Sequence, residues 1–257
     1  ISNFSGSYGL AILLSNENYL FVDGRYTIQA KQQAGNFFTW PNLGYWGRAM
    51  FTTLTMAGLG CGLGFIFAFL LVYLRTWPLK ILIPLRILLT LYVEVFRRIP
   101  FLVLTFLVLF GTRGFGFKFS LFSIACITIL LISTAYIAEI IRAGFESIHQ
   151  NQWEAASILN FGRFKTIFGV IAPQSWPLII PPAFSYFVMF IKETSLTSQI
   201  GALELMTAGK YFNSIGISPL LAFGTCLFLY FALSYPLTLL GHRIEKKLKL
   251  RFNRKMV

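Results

Sequence analysis

Four stretches of the chain run for twenty or more residues without a charged side chain, at residues 49–74, 119–138, 166–191 and 211–242. An α-helix rises about 1.5 Å per residue, so about twenty apolar residues cross the ~30 Å hydrocarbon layer of a membrane. Each stretch is therefore predicted to form a transmembrane helix. The third stretch also carries prolines, which remove backbone donors and predict a bent helix. They are Pro173, Pro177, Pro181 and Pro182.

A fifth segment, residues 79–112, is too apolar to be a loop between two of these spans. Charged residues and a proline interrupt it, so we predict one long crossing that is broken or tilted. The interrupting residues are Arg86, Glu94, Arg97, Arg98 and Pro100. The whole pattern predicts an all-α membrane protein with about five transmembrane helices.

Glycines alternate along the first span, at Gly58, Gly60, Gly62 and Gly64. Their spacing places two GxxxG pairs on neighbouring faces of a helix, where small residues let another helix approach closely. Glycine is also common in membrane helices in general. The pattern alone therefore leaves open whether these positions make a specific packing contact.

Composition agrees with a membrane protein and changes the meaning of the strong positive charge. Hydrophobic residues make up 56% of the 257 positions and charged residues only 12%, whereas soluble domains carry about 25% charged residues. A net charge of +13 could indicate nucleic acid binding, but seven of the 22 basic residues lie within 243–255, directly after an apolar span. This placement instead predicts a cytoplasmic C-terminus and, after an odd number of crossings, an extracytoplasmic N-terminus.

The sequence contains no motif of catalytic or nucleotide chemistry. It lacks HExxH, GxSxG and the glycine-lysine motif of a P-loop, and His149 and His242 are the only histidines. The cysteines lie far apart within apolar stretches, which indicates packing rather than disulfides or a metal site. They are Cys61, Cys126 and Cys226. We therefore predict no enzyme activity, metal or cofactor on this chain, and any energy input must come from another chain.

A polar loop at residues 147–163 joins the second and third clear stretches. Its apolar residues fit one side of a short helix that lies along the membrane surface and ends near Gly162. They are Trp153, Ala156, Ile158, Leu159 and Phe161. A helix with alanines on its surface can bind deep in the groove of a partner, although an ordinary interfacial connector has the same pattern.

Four segments follow in order around this loop: residues 135–144 (AYIAEIIRAG), 152–156 (QWEAA), 172–174 (APQ) and 192–196 (KETSL). Together they resemble the membrane permease subunits of ATP-binding-cassette importers, specifically the polar amino acid uptake branch. The resemblance covers residues 44–247. The cytoplasmic loop of that family has the pattern EAA, three residues, then glycine. The matching positions here are Glu154, Ala155 and Ala156, with Asn160 at the usual glycine position and the glycine displaced to Gly162.

The resemblance implies transport driven by partner subunits in the bacterial inner membrane. Members of the family pair two permeases, the same chain or related ones, and receive substrate from an extracytoplasmic binding protein. Each permease rests on a cytoplasmic ATPase that holds ATP and magnesium, so this chain is expected to need no cofactor of its own. The loop would then be a coupling helix in the ATPase groove. The residues implied in coupling are Gln152, Trp153, Glu154, Ala155, Ala156 and Gly162.

Charged residues inside the fifth segment predict a second site. Residues 92–100 (YVEVFRRIP) are similar to the second-helix signature of the same family. A charge in lipid costs about 2.5–3.5 kcal/mol on insertion scales, so these side chains need partners or water. We expect them to border the translocation path, unless Glu94 simply pairs with Arg97 or Arg98 and holds the fold together. The residues assigned to the path or a gate are Glu94, Arg97, Arg98, Pro100, Lys192, Thr194 and Ser195.

The N-terminal region differs in character from the rest of the chain. Short apolar runs at residues 9–14 and 19–22, around a polar turn, predict a β-hairpin, and residues 25–34 are compatible with a helix. Residues 1–38 resemble a piece of the N-terminal, non-catalytic domain of Xaa-Pro aminopeptidases through the segments FSGSYG and FVDGRY. The metal-binding catalytic domain of that family has no counterpart here.

The sequence thus predicts three parts: an extracytoplasmic segment 1–43, a transmembrane permease domain 44–247 and a basic cytoplasmic tail 248–257. A gene-fusion remnant, a misassembled reading frame, chance or an added outer extension would each explain the first part. Ile1 in place of a methionine indicates a truncated sequence. The alternatives to an importer subunit are a channel or passive pore and the remnant of a peptidase fusion.

Overall fold

The computed structural model describes residues 10–13, 18–21, 37, 39–77 and 79–256. Two short strands, β1 (Leu10–Leu13) and β2 (Asn18–Phe21), pair antiparallel with Leu10 opposite Phe21. They overlap the two apolar runs for which the sequence predicted strands. The predicted helix at residues 25–34 lies outside the described residues.

The rest of the described chain is built from helices. In chain order they are α1 (Trp40–Arg75), α2 (Ile83–Phe96), α3 (Phe101–Gly114), α4 (Leu121–Glu146), α5 (Gln150–Ile158), α6 (Arg163–Thr166), α7 (Ala172–Glu193), α8 (Leu205–Ser214) and α9 (Pro219–Met256). Three tighter or wider segments extend them: 3₁₀ turns at Lys80–Leu82 and Thr194–Ile200, and a π-helical segment at Ile167–Ile171 between α6 and α7. The all-α membrane fold that the sequence predicted is confirmed.

Local chemistry explains several of the helix starts. The hydroxyl of Ser120 accepts a hydrogen bond from the backbone N–H of Ser123 at 3.1 Å and so caps α4. Pro41 lies in the first turn of α1, and α9 begins at Pro219. Proline suits the first turn because the backbone N–H that it lacks has no partner within the helix there.

Four helical segments of the described chain are long and apolar enough to cross a membrane: Trp40–Arg75, Leu121–Glu146, Arg163–Ile200 and Pro219–Leu248. They correspond to the four predicted stretches, with one correction. The last stretch was predicted to begin at residue 211, but the structure begins that span at Pro219. Gly216, with φ of 92°, ends the preceding helix, so residues 211–214 belong to α8.

The fifth crossing is broken where the sequence predicted a break. The helices α2 and α3 are 14 residues long each, and the turn at residues 97–100 separates them. Proline disfavours helical backbone in the residue before it, so Pro100 starts a new helix instead of continuing α2. Fourteen residues rise only about 21 Å, so neither half alone matches the hydrocarbon layer.

The hydrogen-bond ladder of the third span is also irregular, as its prolines predicted. Pro177, Pro181 and Pro182 lie inside α7, where a proline leaves the carbonyl four residues earlier without its usual donor. The π-helical segment Ile167–Ile171 directly precedes that helix. Freed backbone groups of this kind are tolerated in a membrane only where protein or water can receive them.

Helix α1 packs most closely on α4, and two of its glycines make the approach possible. A methyl group added to Gly60 would lie 2.5 Å from Cγ2 of Ile129, and one added to Gly64 would overlap Ser133. The hydroxyl of Ser133 also donates a hydrogen bond to the carbonyl oxygen of Gly60 at 3.2 Å. One of the two GxxxG pairs therefore makes the specific contact that the sequence left open.

We expect Gly60→Leu to lower the free energy of unfolding by about 1–3 kcal/mol, because the larger side chain must push α4 away. Gly62→Leu is the matched control, since a methyl group at Gly62 would meet no atom within 4 Å. Thermal unfolding of both variants in detergent tests the contact. Equal losses in the two variants would show that the α1–α4 contact does not depend on Gly60.

Candidate functional site

The surface helix α5 has well-defined ends. The imidazole Nδ1 of His149 accepts a hydrogen bond from the backbone N–H of Asn151 at 3.3 Å, which caps its start. At its other end Asn160 has φ of 52°, and the backbone N–H of Phe161 donates to the carbonyl of Ala156 at 3.0 Å. This is a Schellman-type end in which asparagine takes the position usually held by glycine.

The predicted end of this helix near Gly162 is therefore wrong. The helix stops at Ile158, and Gly162 has extended backbone and caps the start of α6 instead. Asparagine tolerates the left-handed conformation because its short polar side chain can bond locally. That property explains how Asn160 can end the helix two residues before the displaced glycine.

The apolar residues of the loop do not share one side of α5, which corrects a second prediction. Trp153 and Ala156 face the rest of the chain, and Ala156 is only 2% exposed. Ile158 and Leu159 point away and are 85% and 64% exposed. The sequence pattern does not show which side of a short helix is covered, because that depends on the neighbouring helices. The prediction therefore grouped all five apolar residues on one side.

The inner side of α5 is fixed to two membrane helices. Trp153 packs against the buried cluster that contains Phe145 of α4 and Ile171 at the start of α7. Nε2 of Gln174 donates to Oε1 of Gln152 at 3.1 Å and joins α5 to α7 directly. Gln174 belongs to the predicted APQ segment, but its link to α5 was not foreseen because the two glutamines are far apart in sequence.

The outer side of α5 is left open by the rest of the chain. Glu154 and Ala155 are exposed beside the projecting Ile158 and Leu159. This outer face, defined by Glu154, Ala155, Ile158 and Leu159, combines one carboxylate, one small residue and two large apolar side chains. Large exposed apolar side chains next to each other on a short helix are typical of a surface that another protein covers.

The charged residues around the α2–α3 break are paired. Arg98 forms an ion pair with Glu94 one helical turn earlier, on the surface of the chain. Arg97 turns the other way, with its Nη1 3.9 Å from Oε1 of Glu139 on α4. The sequence left open that Glu94 pairs with Arg97 or Arg98 to hold the fold together, and the structure shows the pair with Arg98.

Glu139 is the centre of a larger charge cluster. Arg142 holds it through two hydrogen bonds, from Nε at 3.1 Å and from Nη2 at 2.5 Å, and also pairs with Glu146. The phenolic hydroxyl of Tyr136 donates to the carbonyl of Arg97 at 3.1 Å, and the Arg97 guanidinium lies 5.8 Å from the centre of the Tyr136 ring. These contacts join the end of α2 to α4.

The predicted gate residues lie at the end of α7 and in the 3₁₀ turn that follows. Thr194 is fully buried, and its hydroxyl donates to the carbonyl of Ile191 at 2.7 Å, whereas Lys192 is exposed and Ser195 half-buried. The neighbouring Leu196 packs in the same cluster as Ile99, next to Pro100. The structure thus brings the 3₁₀ turn close to the α2–α3 break, although no hydrogen bond or ion pair joins the two groups within the described chain.

Sequence reasoning missed a buried carboxylate, that of Glu204. It caps α8, accepting hydrogen bonds from the backbone N–H groups of Met206 at 2.8 Å and Thr207 at 2.6 Å. Its Oε2 also accepts a hydrogen bond from the hydroxyl of Tyr230 on α9 at 2.5 Å. Complete burial raises the pKa of Glu204 above the usual glutamate value, although these donors oppose the shift.

The raised pKa predicts a pH dependence of stability. The folded chain binds this proton more tightly than the unfolded chain, so stability falls as the pH rises from about 4.3 through the raised pKa of Glu204. We expect the melting temperature of Glu204→Gln not to fall over this pH range. Glu154→Gln, at an exposed position, is expected to show the same fall as the wild type. The same fall in Glu204→Gln would assign the pH dependence to other groups.

The described fold is that of a multi-pass helical membrane protein with an exposed, partly apolar surface helix. Residues 60–250 match the family of binding-protein-dependent transport system inner membrane components, and the chain belongs to that family. It is therefore a permease component rather than an enzyme in its own right. The resemblance of residues 44–247 to the permease subunits of importers is therefore confirmed.

Relatives among known proteins agree with this family. The chain is similar to the L-cystine transport system permease protein TcyB of Bacillus subtilis, with 31% identity over 81% of this chain and 87% of that protein. It is also similar to the probable glutamine ABC transporter permease protein GlnM of the same organism, with 32% identity over 65% of this chain and 77% of that protein.

Solved structures agree with the fold. A chain of an amino acid ABC transporter crystal structure matches with a TM-score of 0.71 and 23% identity, over 88% of this chain and 99% of that chain. A chain of the MetNI methionine ABC transporter in an inward-facing conformation matches with the same TM-score and 20% identity, over 82% of this chain and 99% of that chain. At these identities the likeness concerns the fold alone.

Proposed function

We propose that the chain is the permease subunit of an ATP-binding-cassette importer and forms part of the translocation path for a polar amino acid. The substrate class is supported by relatives that are named for L-cystine and glutamine transport and that this chain matches over most of their length. The partners are a cytoplasmic ATPase, a second permease of the same or related sequence and an extracytoplasmic substrate-binding protein. ATP and magnesium belong to the ATPase, and this chain carries no cofactor.

The observation that carries the coupling role is the two-sided character of α5. Its inner side is anchored by Trp153 and Gln152, and its outer face projects Glu154, Ala155 and two large apolar residues. The small side chain of Ala155 lets the helix backbone come close to a partner groove, and the apolar residues supply area to bury there. We therefore place the ATPase on this outer face.

The anchoring contacts explain how movement of α5 would reach the membrane. Trp153 contacts a cluster shared by α4 and the start of α7, while the Gln152–Gln174 hydrogen bond ties α5 to α7 alone. Helix α5 is nine residues long and capped, so it would move as a rigid body. Closure of the ATPases on ATP would then tilt both membrane helices together and switch the permease between inward-open and outward-open states.

Placing α5 in the cytoplasm fixes the remaining orientation. The basic C-terminal tail then lies on the same side as α5, and the N-terminus lies outside. We assign the α2–α3 break, with Glu94, Arg97, Arg98 and Pro100, to the border of the path. The end of α7 and the 3₁₀ turn next to this break would be the gate, with Lys192 in α7 and Thr194 and Ser195 at the start of the turn.

The test of coupling is Glu154→Lys, which reverses the charge at the centre of the outer face. We expect ATP-driven uptake of the amino acid into vesicles to fall at least about tenfold, because removing a charge pair worth about 1.4 kcal/mol or more weakens ATPase association by that factor. Membrane insertion is expected to be unchanged, since Glu154 is exposed.

The control for Glu154→Lys is Asn213→Lys, an added charge on the exposed surface of α8. It is expected to transport normally. Normal uptake by Glu154→Lys would remove the coupling assignment, and uptake that needs no ATPase at all would favour a passive pore.

The path assignment is tested by Arg97→Ala with Arg113→Ala as its control. Arg97 joins α2 to α4 and is partly buried, so its loss should cost about 1 kcal/mol of stability and also lower the maximal rate of uptake. Arg113 lies exposed in the last turn of α3, outside the assigned path, so its loss should change either quantity little. Unchanged uptake and stability in Arg97→Ala would exclude that residue from both roles.

A further inference from the structure

A cavity of about 260 Å³ lies where α1 ends, α2 begins and α4 ends. Six of the seven residues that line it are polar or charged. The polar lining residues are Arg75, Thr76, Arg86, Thr90, Arg142 and Glu146. Three arginines against one glutamate leave the cavity with an excess of positive charge, which suits an anion.

The arginines of this cavity are not all satisfied by the protein. Arg142 is held by Glu139 and Glu146, and Arg86 donates its Nη2 to the carbonyls of the α1–α2 connection. Nη1 of Arg75 and Nε of Arg86, however, are buried without a hydrogen-bond partner anywhere in the described chain. Buried N–H groups on charged side chains are costly to leave unpaired, so these atoms favour an acceptor that enters the cavity.

A second, apolar groove of about 280 Å³ lies between the same three helices. It is lined by leucines of all three helices, with Tyr92 of α2 and Thr134 of α4. Leu74 of the groove directly precedes Arg75 of the cavity, and Leu89 of the groove directly precedes Thr90. Together the basic cavity near the helix ends and the neighbouring apolar groove deeper in the membrane are called the cavity–groove surface.

We propose that this surface binds an anionic phospholipid, with the phosphate between Arg75 and Arg86 and one acyl chain in the leucine groove. The basic end lies at the ends of membrane helices, where lipid head groups are found. Thr134 and Arg142 are about 12 Å apart along α4, a distance that an acyl chain spans easily. A free phosphate would use the arginines but would leave the groove uncovered. Lipid binding here needs only that the chain spans a membrane and does not rest on the proposed transport function.

The experiment is native mass spectrometry of the full chain, purified with the subunits that accompany it and titrated with phosphatidylglycerol. We expect the double variant Arg75→Gln, Arg86→Gln to bind this lipid about a hundredfold more weakly, or about tenfold for each charge-assisted hydrogen bond that is removed. Arg113→Gln is the matched control, because Arg113 lies in the last turn of α3 and does not line the cavity. It is expected to bind the lipid as the wild type does. Equal binding by all three proteins would overturn the proposal.

Two further measurements distinguish a bound phospholipid from a free anion. Leu70→Trp fills the apolar groove and is expected to weaken phosphatidylglycerol binding while the arginines stay in place. Inorganic phosphate is expected not to compete for the site at millimolar concentration. Effective competition by phosphate, together with an unaffected Leu70→Trp variant, would show that a free anion occupies the cavity and would overturn the lipid assignment.

If the double variant does not fold, the wild type still decides the question. It is expected to bind anionic phosphatidylglycerol more tightly than zwitterionic phosphatidylcholine, with a difference that shrinks as salt is added. Equal affinity for the two lipids at low salt would contradict a site defined by the arginines.

Discussion

The contact between α1 and α4 is the constraint on which the rest of the membrane domain depends. Helix α4 also packs against α2, α3 and α7, so it is the common neighbour of every membrane-spanning element except α9, which packs on α7 and α8. Helices in lipid gain little from the hydrophobic effect against one another, and close backbone approach must supply the attraction instead. Gly60 and Gly64 allow that approach, and the positions of the other helices follow from the resulting place of α4.

Charge is concentrated where this central helix ends. Glu139, Arg142 and Glu146 lie in its last two turns, and Arg97 reaches them from the α2–α3 break. Each group would be expensive to insert alone, but a cluster near a helix end shares partners and lies close to the head-group region. The cluster thus keeps the broken crossing attached to α4 without a continuous helix between its halves.

The sequence predicted the membrane spans well because length and hydropathy are properties of each segment alone. The break before Pro100 was predictable for the same reason. The features that the sequence did not predict depend on contacts between residues that are distant in sequence. The inner side of α5 is decided by the neighbours of Trp153, and the role of Glu204 depends on Tyr230 of another helix. The end of α5 was predicted near Gly162 because glycine is the stronger signal for a helix end. In the structure the left-handed residue that follows the helix is Asn160.

The surface helix and the arginine cavity meet at one joint. Glu146 lines the cavity and is the last residue of α4, and His149 three positions later caps α5. Arg163, just after α5, also donates a hydrogen bond to the carbonyl of Thr76 in the cavity wall. A motion of α5 therefore reaches the residues that surround the cavity as well as the membrane helices that Trp153 and Gln152 contact. An anion bound between Arg75 and Arg86, as proposed, would tie the end of α1 to the start of α2 beside the end of α4 and so would stiffen this joint.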